Sequence, residues 1–234
     1  MIEGIEMTIA FSQQIFNRVE PLWQSYLDHP FVKGIGDGTL DQTKFIHYMK
    51  QDYIYLIEYS RLFAIGASKA YDLSTMTLFG ELLHGTLSFE MDLHRQYAAK
   101  FGISAEELEV TEPSATMTSY TSYMLSQASL GGVENTIAAV LACAWSYNYI
   151  GKALAENPAS KAHEFYGDWV NTYSSSEFTA LAEKCIQLID KIGETASPEL
   201  KTTLEDIVVN TSYYEYMFWD MAENISMWDV PVTV

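Results

Sequence analysis

The chain has 234 residues, of which 48% are hydrophobic and 14% aromatic, and its formal net charge is −18 at pH 7. So many apolar side chains can bury a sizeable core, which excludes a chain that is disordered throughout. The negative charge argues against nucleic acid and anionic membrane surfaces as partners, because both attract basic patches.

Targeting signals and strand patterns are both missing from the sequence. Residues 1–16 hold no cationic leader, and no apolar run reaches the roughly 18 to 20 residues of a membrane span. We therefore expect a soluble, cytoplasmic protein without a signal peptide. No alternating apolar pattern, repeat or linker occurs, which predicts a single all-α domain over residues 1–234. Two cysteines, Cys143 and Cys185, make neither a disulfide framework nor a zinc pattern, so we expect no metal, no cofactor and a core role for Cys185.

The first helix is predicted from about Thr8 to Asp28, where apolar residues recur at helical spacing. Pro21 should kink this helix or split it in two, because proline removes a backbone donor and crowds the preceding turn. The helix should stop before Pro30, since the residue before a proline avoids the helical conformation. The glycine-rich stretch 34–41 then predicts a turn that ends in Asp41, a good N-cap.

The second helix, which Asp41 opens, carries an acid among apolar neighbours. Asp52 shares a helix face with Tyr48 and Tyr55. A carboxylate on a core face needs partners, since burying it alone is costly. Asp52 is therefore either a structural residue that bonds a tyrosine hydroxyl or caps a helix, or a ligand-binding residue.

The third helix is predicted from about Ser74 to Phe101 and carries two pairs of acid and histidine. Glu81 and His84 have the Glu-x-x-His spacing of a di-iron bundle, but that site needs a second such pair, which the sequence lacks. Glu90 and His94, four residues apart, are predicted to be a structural pair that also tethers a neighbouring helix.

Capping signals and helix breakers divide the rest of the chain. Ser104 and Ser174 each open a capping box, and Ser197 precedes a proline at a first helical position. The predicted helices are 118–128, 136–154, 160–173, 174–192 and 197–225.

The helix 136–154 is apolar nearly all round, which predicts a buried helix. It carries Cys143 and, one turn on, Tyr147, so the thiol and the phenol can share one wall. No Lys or Arg occurs between Lys100 and Lys152 to stabilise a thiolate. Cys143 is therefore either a small core residue or a nucleophile that a group distant in sequence activates.

The last helix ends in an aromatic cluster around Glu215, within residues 211–225. Burial among these rings would raise the pKa of the Glu215 carboxyl, which suits proton transfer near neutral pH. The alternative is an aromatic core end from which Glu215 points to water.

Five stretches, taken together, resemble the TenA or thiaminase II family. They are HPFVKGIGDGTL at 29–40, QDYIYL at 51–56, SYTSYM at 119–124, AVLACAWSYNYIG at 139–151 and TSYYEYMFW at 211–219. Their order and separation match the family from about residue 10 to 228. The resemblance implies a heme-oxygenase-like helical bundle with an internal pocket, assembled as a homotetramer. It also implies hydrolysis of 4-amino-5-aminomethyl-2-methylpyrimidine to the hydroxymethyl pyrimidine and ammonia, and cleavage of thiamin, in thiamin salvage.

The resemblance also implies a role for each residue that matches a motif. It gives Cys143 as nucleophile and Glu215 as general acid/base, Asp52, Tyr147, Tyr173 and Phe218 as substrate-binding residues, and Tyr55 and Tyr120 as residues that tune the nucleophile. Two alternatives stay open: a di-iron oxygenase on the same bundle, and a non-catalytic pyrimidine-binding or regulatory protein. The sequence does not say whether the aminomethyl pyrimidine or thiamin is the preferred substrate.

Overall fold

The structure, a computed structural model, describes residues 9–230, and every regular element in that range is helical. The all-α class is therefore confirmed. None of the described helices is long and apolar enough to cross a bilayer. Their bounds are α1 Phe11–Asp28, α2 Pro30–Asp37, α3 Gln42–Lys69, α4 Leu73–Gly85, α5 Met91–Lys100, α6 Ala105–Glu109, α7 Ala115–Leu130, α8 Val133–Ala155, α9 Pro158–Ala162, α10 Gly167–Tyr173, α11 Ser176–Thr195 and α12 Pro198–Asn224, with a π-helical turn at Thr86–Glu90 between α4 and α5.

Helix α8 lies at the centre of the bundle, packed against α12, α11, α10, α7 and α3. Every residue from Thr136 to Ala142 is fully buried, as the all-round apolar pattern predicts. Burying Ile137 and Leu141 stabilises the fold by about 1.5–3 kcal/mol each. The helix that carries Cys143 is therefore held rigidly from all sides.

The sequence predicted a kink or a split at Pro21; helix α1 runs through Pro21 without a break, so the split is wrong. Packing compensates for the lost backbone bond, because Trp23 and Tyr26 on the same helix are fully buried. The Trp23 indole donates to the Ser212 hydroxyl at 3.0 Å, and the Tyr26 hydroxyl donates to the Ser212 carbonyl at 2.5 Å. The predicted start at Thr8 lies outside the described residues.

The stretch predicted as a turn, 34–41, begins in fact as the second half of α2. Glycine is used here for close packing: a Cβ on Gly34 would lie 3.0 Å from the Leu40 Cβ, and one on Gly36 would lie 2.7 Å from the Leu154 side chain. The helix ends at Gly38, whose φ of 73° is the left-handed conformation that glycine adopts freely. The composition predicted a turn because it does not distinguish these two uses of glycine.

The predicted helix 74–101 is interrupted by the π turn. There the Met91 N–H bonds the carbonyl of Thr86, five residues back instead of four. This inserts one residue into the helical register, which turns Thr86 and Glu90 toward the interior of the bundle. Such a turn carries no sequence signal that apolar spacing detects.

Several helix starts differ by a few residues from the prediction because a neighbouring serine provides the cap. Ser114 rather than Thr118 opens α7, and Ser175 rather than Ser174 caps α11. The predicted helix 160–173 is two short helices, α9 and α10. The caps at Asp41, Ser104 and Ser197 are confirmed, each accepting a hydrogen bond from a backbone N–H of its helix.

Two helical glycines should respond in opposite ways to alanine. A Cβ on Gly80 would meet no atom within 4 Å, whereas one on Gly151 would lie 2.5 Å from the backbone carbonyl carbon of Tyr173. We expect Gly80→Ala to raise the free energy of unfolding by about 0.5–1 kcal/mol, since alanine loses less entropy in a helix. Gly151→Ala should lower it by roughly 1–3 kcal/mol because α8 and α10 must move apart. Urea unfolding followed by circular dichroism measures both, and a stabilising Gly151→Ala would contradict the packing described.

Candidate active site

A cavity opens beside the middle of α8, between α3, the π turn, α10 and α11. Five of the eight predicted site residues line it: Cys143, Asp52, Tyr55, Tyr147 and Tyr173. The cavity volume is about 30 Å³, roughly the share of one water molecule in the liquid. A planar ring needs more room, so side chains along this narrow space must move when a ligand enters.

Cys143 and Tyr147 project from α8 into the cavity, one helical turn apart as predicted. Burial raises the pKa of the Cys143 thiol well above its usual range, and the charge of Glu215 raises it further, while a hydrogen bond with Tyr55 opposes both. The resting residue is therefore a thiol, and a thiolate forms only if a nearby group takes its proton.

Glu215 is that nearby group. It is 2% exposed, so the alternative in which it points to water is wrong. Its Oε1 accepts a hydrogen bond of 2.7 Å from the Tyr120 hydroxyl. Burial raises the pKa of Glu215 to about 8, although hydrogen bonds from Tyr120 and Cys143 partly offset this effect. An acid that titrates near neutral pH beside a thiol can accept and return a proton.

Asp52 is buried, but its partner is a histidine rather than the predicted tyrosine. Its Oδ2 lies 2.5 Å from His94 Nε2, and His94 Nδ1 lies 2.9 Å from the Glu90 carbonyl. Because a carbonyl only accepts, Nδ1 carries a hydrogen, and one proton is shared between Nε2 and Asp52. Burial alone would lower the pKa of His94, but the Asp52 carboxylate raises it overall. His94 thus joins α5 to α3, which confirms the predicted tether, but it meets Glu90 at the backbone carbonyl and not at the carboxyl that the predicted pair implied.

Aromatic rings form much of the wall behind the polar groups. The Tyr147 ring lies 4.8 Å from that of Tyr173 and 5.2 Å from that of Trp219, centroid to centroid. Trp219 was missed by sequence reasoning, although its place one turn after Glu215 could have indicated it. Tyr147 and Tyr173 line the cavity and offer apolar surface on which a heteroaromatic ligand can pack, whereas Trp219 supports them from behind.

Three predicted site residues are not among those that line the cavity. Glu215 reaches it through its hydrogen bond with Cys143, and Tyr120 and Phe218 lie in a layer behind Tyr55. Their ring centroids are 5.3 and 5.8 Å from that of Tyr55. Tyr120 bonds Glu215 and not Cys143, so its role in tuning the nucleophile stays a prediction. The substrate contact of Phe218 stays a prediction.

The Glu81 and His84 pair lies on the protein surface, away from the cavity. Glu81 pairs with Lys184 at 2.7 Å, and the His84 ring lies 3.2 Å from the Ser88 hydroxyl. Within residues 9–230, no three His, Cys, Asp or Glu side chains cluster as metal ligands would. Cys185 is buried, and burial raises its pKa to about 12, as expected for an inert core thiol.

Comparison with known proteins gives a family match for this chain. The family described as TENA/THI-4/PQQC matches residues 16–224. An "Aminopyrimidine aminohydrolase" of Halalkalibacterium halodurans is 50% identical over 221 residues, covering 94% of this chain and 99% of the relative. A Helicobacter pylori protein of the same name is 40% identical over 211 residues, covering 90% and 97%.

Solved structures share the fold. A "TenA family transcription regulator" from Silicibacter sp. is similar with a TM-score of 0.84 at 29% identity, covering 91% of this chain and 96% of that chain. A domain of unknown function from Shewanella denitrificans, described as having a heme oxygenase-like fold, gives a TM-score of 0.73 at 14% identity, covering 91% and 92%. The predicted heme-oxygenase-like fold is thereby confirmed.

The raised pKa of Glu215 predicts a pH dependence of stability. A carboxyl whose pKa is about 8 when folded and near 4.3 when unfolded keeps its proton only in the folded state between these values. The stabilisation of the folded state by the protonated Glu215 carboxyl is fully present at low pH and is lost as the pH rises through about 8. From pH 5 to 9, the free energy of unfolding of the wild type should therefore fall relative to that of Glu215→Gln by more than about 1.4 kcal/mol, the value of one pKa unit.

Urea titrations at both pH values measure this difference. The exposed Glu183 provides the control, because Glu183→Gln should follow the wild type at both pH values. Parallel curves for wild type and Glu215→Gln would contradict a carboxyl that is protonated in the folded state.

Proposed function

The chain belongs to the TENA/THI-4/PQQC family, and on that basis we propose that it is an aminopyrimidine aminohydrolase. It replaces a group on the exocyclic methylene carbon of an aminopyrimidine by hydroxyl. Its substrate in thiamin salvage is 4-amino-5-aminomethyl-2-methylpyrimidine, and it also cleaves thiamin to the hydroxymethyl pyrimidine and the thiazole. The observation that carries the proposal is that Cys143 and Asp52, from two distant helices, line one cavity, while Glu215 of a third helix, not itself a lining residue, hydrogen-bonds Cys143.

The first half of the reaction uses Cys143 as nucleophile. Its sulfur adds to a carbon of the pyrimidine ring while the thiol proton moves to the Glu215 carboxylate. Ring electrons then expel the substituent from the methylene carbon, and the electron pair of the broken bond leaves with the nitrogen. Glu215 then passes the thiol proton to the departing ammonia, or to solvent when the neutral thiazole leaves, and is a carboxylate again before water adds. Covalent catalysis thus replaces one difficult displacement by two easier steps.

The second half restores the ring. Water adds to the methylene carbon and gives a proton to Glu215, which typically contributes about 10²–10⁴-fold as a general base. The sulfur then leaves the ring with its electron pair, takes back a proton, and aromaticity returns. Because Glu215 titrates near pH 8, it can serve as acid and base in turn.

Asp52 orients the ring. Since His94 occupies its Oδ2, the Oδ1 atom accepts hydrogen bonds from the ring's amino group and a protonated ring nitrogen. Tyr147 and Tyr173, whose rings meet edge to face, line the cavity beside the substrate ring. Tyr55 hydrogen-bonds the Cys143 thiol and Tyr120 hydrogen-bonds Glu215, so each affects the pKa of its partner. Phe218 supports this wall through Tyr55.

The proposal also covers the bounds of the domain and the assembly of subunits. The match to residues 16–224 supports one domain over residues 1–234. Tyr71, Leu73 and Leu130 are 79%, 77% and 90% exposed, and Lys69 bonds the carbonyl of Gly131 between them at 2.6 Å. This exposed apolar group supports burial in a subunit interface, in line with a cytoplasmic homotetramer.

One other candidate has an observation in its favour. The Silicibacter relative is described as a transcription regulator, which corresponds to a pyrimidine-binding protein without turnover. Such a protein has no need of an acid and base beside a thiol. The Glu81–His84 motif that suggested a di-iron site does not lie at the cavity, because both side chains face solvent.

Replacing the nucleophile provides the direct test. We expect Cys143→Ser to fold and to release ammonia from the aminomethyl pyrimidine at least about 100-fold more slowly, since the covalent step is lost. Cys185→Ala is the matched control, because it removes the other cysteine and should leave turnover in place. Products from the aminomethyl pyrimidine and from thiamin are measured side by side.

Undiminished turnover by Cys143→Ser would overturn the mechanism. Tight binding of pyrimidines by the wild type with no product after hours would favour the regulatory protein instead.

A further inference from the structure

One acid of the cavity wall has no part in the mechanism above. Glu90, the last residue of the π turn, lines the cavity together with Asp52 and Cys143. Among the hydrogen bonds of residues 9–230, none involves the carboxyl oxygens of Glu90. By contrast, Asp52 is bonded to His94 and Glu215 to Tyr120. A partly buried carboxyl aimed into a ligand cavity without a partner is available to a ligand.

We propose that Glu90 binds the positively charged substituent of the substrate and so selects pyrimidines whose departing group is a cation. This inference rests on the proposed function and adds to it the charge of the group that leaves. Both substrates have such a charge, since the aminomethyl group is an ammonium at neutral pH and thiamin carries a thiazolium.

The backbone around Glu90 is held firmly in place. The π turn brings Glu90 to the cavity, and its carbonyl accepts the His94 Nδ1–H at 2.9 Å. The same imidazole is bonded to Asp52. The Glu90 backbone is thus fixed relative to Asp52, the residue that orients the ring. π-helical turns inside α-helices occur frequently at functional sites, because they place a side chain at the expense of regular geometry.

Glu90 is the carboxyl of the cavity wall that no positively charged side chain of the described residues neutralises. The titratable groups that share the cavity or interact with Glu90 are Asp52, Tyr55 and Tyr59 of α3, His94 of α5, Cys143 and Tyr147 of α8 and Tyr173 of α10, while α11 presents only apolar side chains. No Lys or Arg of the described chain lines the cavity, and the His94 charge is matched by Asp52. Burial raises the pKa of Glu90 to about 7, and a bound cation would lower it again. Cation binding therefore ionises Glu90 fully.

Glu90 lies near the reacting centre. It lines the same cavity as Cys143, and its charge acts on the Cys143 thiol. A substituent one bond from the ring that Cys143 attacks therefore lies close to Glu90. Because the cation is bound before reaction, Glu90 mainly adds ground-state affinity, which affects KM more than kcat.

The test is Glu90→Gln, with three substrates of different charge. The aminomethyl pyrimidine and thiamin are cations, and the N-acetylated aminomethyl pyrimidine is neutral. We expect Glu90→Gln to raise KM for both cations by roughly 10- to 100-fold, the range for a lost charge-assisted hydrogen bond. KM for the neutral analogue should change less than about twofold, and Glu90→Asp should recover part of the loss. Glu81→Gln, an exposed acid on α4, is the control that should behave as the wild type.

Two outcomes would overturn the inference: an unchanged KM for the cations, or an equal rise for the neutral analogue, which would make Glu90 a structural residue. If the wild type turns over none of the three, the proposed function fails. Calorimetric binding of the aminomethyl and hydroxymethyl pyrimidines to wild type and Glu90→Gln then decides the role of Glu90 independently. A selective loss of affinity for the aminomethyl compound would support it, and equal affinities would refute it.

Discussion

The proton shared by Asp52 and His94 is the interaction on which the site depends. It joins α3 to α5 across the bundle, and the second nitrogen of the same imidazole holds the carbonyl of the π turn. A buried carboxylate without such a partner would be costly or would take up a proton. The imidazole therefore supplies the partner that the buried Asp52 carboxyl requires, and it holds the backbone of Glu90 in place. One contact serves the fold and the chemistry together.

Burial accounts for the electrostatics of the remaining groups. The rings around α8 and α12 exclude water, which raises the pKa of Cys143 and of Glu215 and favours their protonated forms. Cys143 and Glu215 thus carry little charge at rest. In the proposed mechanism a bound pyrimidine rearranges these protons, so that the thiol is protected from unwanted reactions until then.

The sequence predicted what depends on side-chain character within one helix. The buried α8, the Cys143–Tyr147 face and the serine and aspartate caps follow from local patterns. Contacts between helices could not be predicted in this way: the sequence gives no means of knowing that His94 meets Asp52, 42 residues away. Nor does composition show that packing carries α1 through Pro21, or that Gly34 and Gly36 serve close helix contacts instead of a turn. The convergence of Cys143, Glu215 and Asp52 was expected from the family resemblance and not from spacing.

The narrowness of the cavity has a kinetic consequence. A space that admits about one water molecule cannot receive a pyrimidine by simple collision, so the walls must part first. Association then proceeds in two stages, opening and capture, and its observed rate should level off as ligand concentration rises. The frequency with which the aromatic walls separate, rather than diffusion, would set the upper limit of uptake.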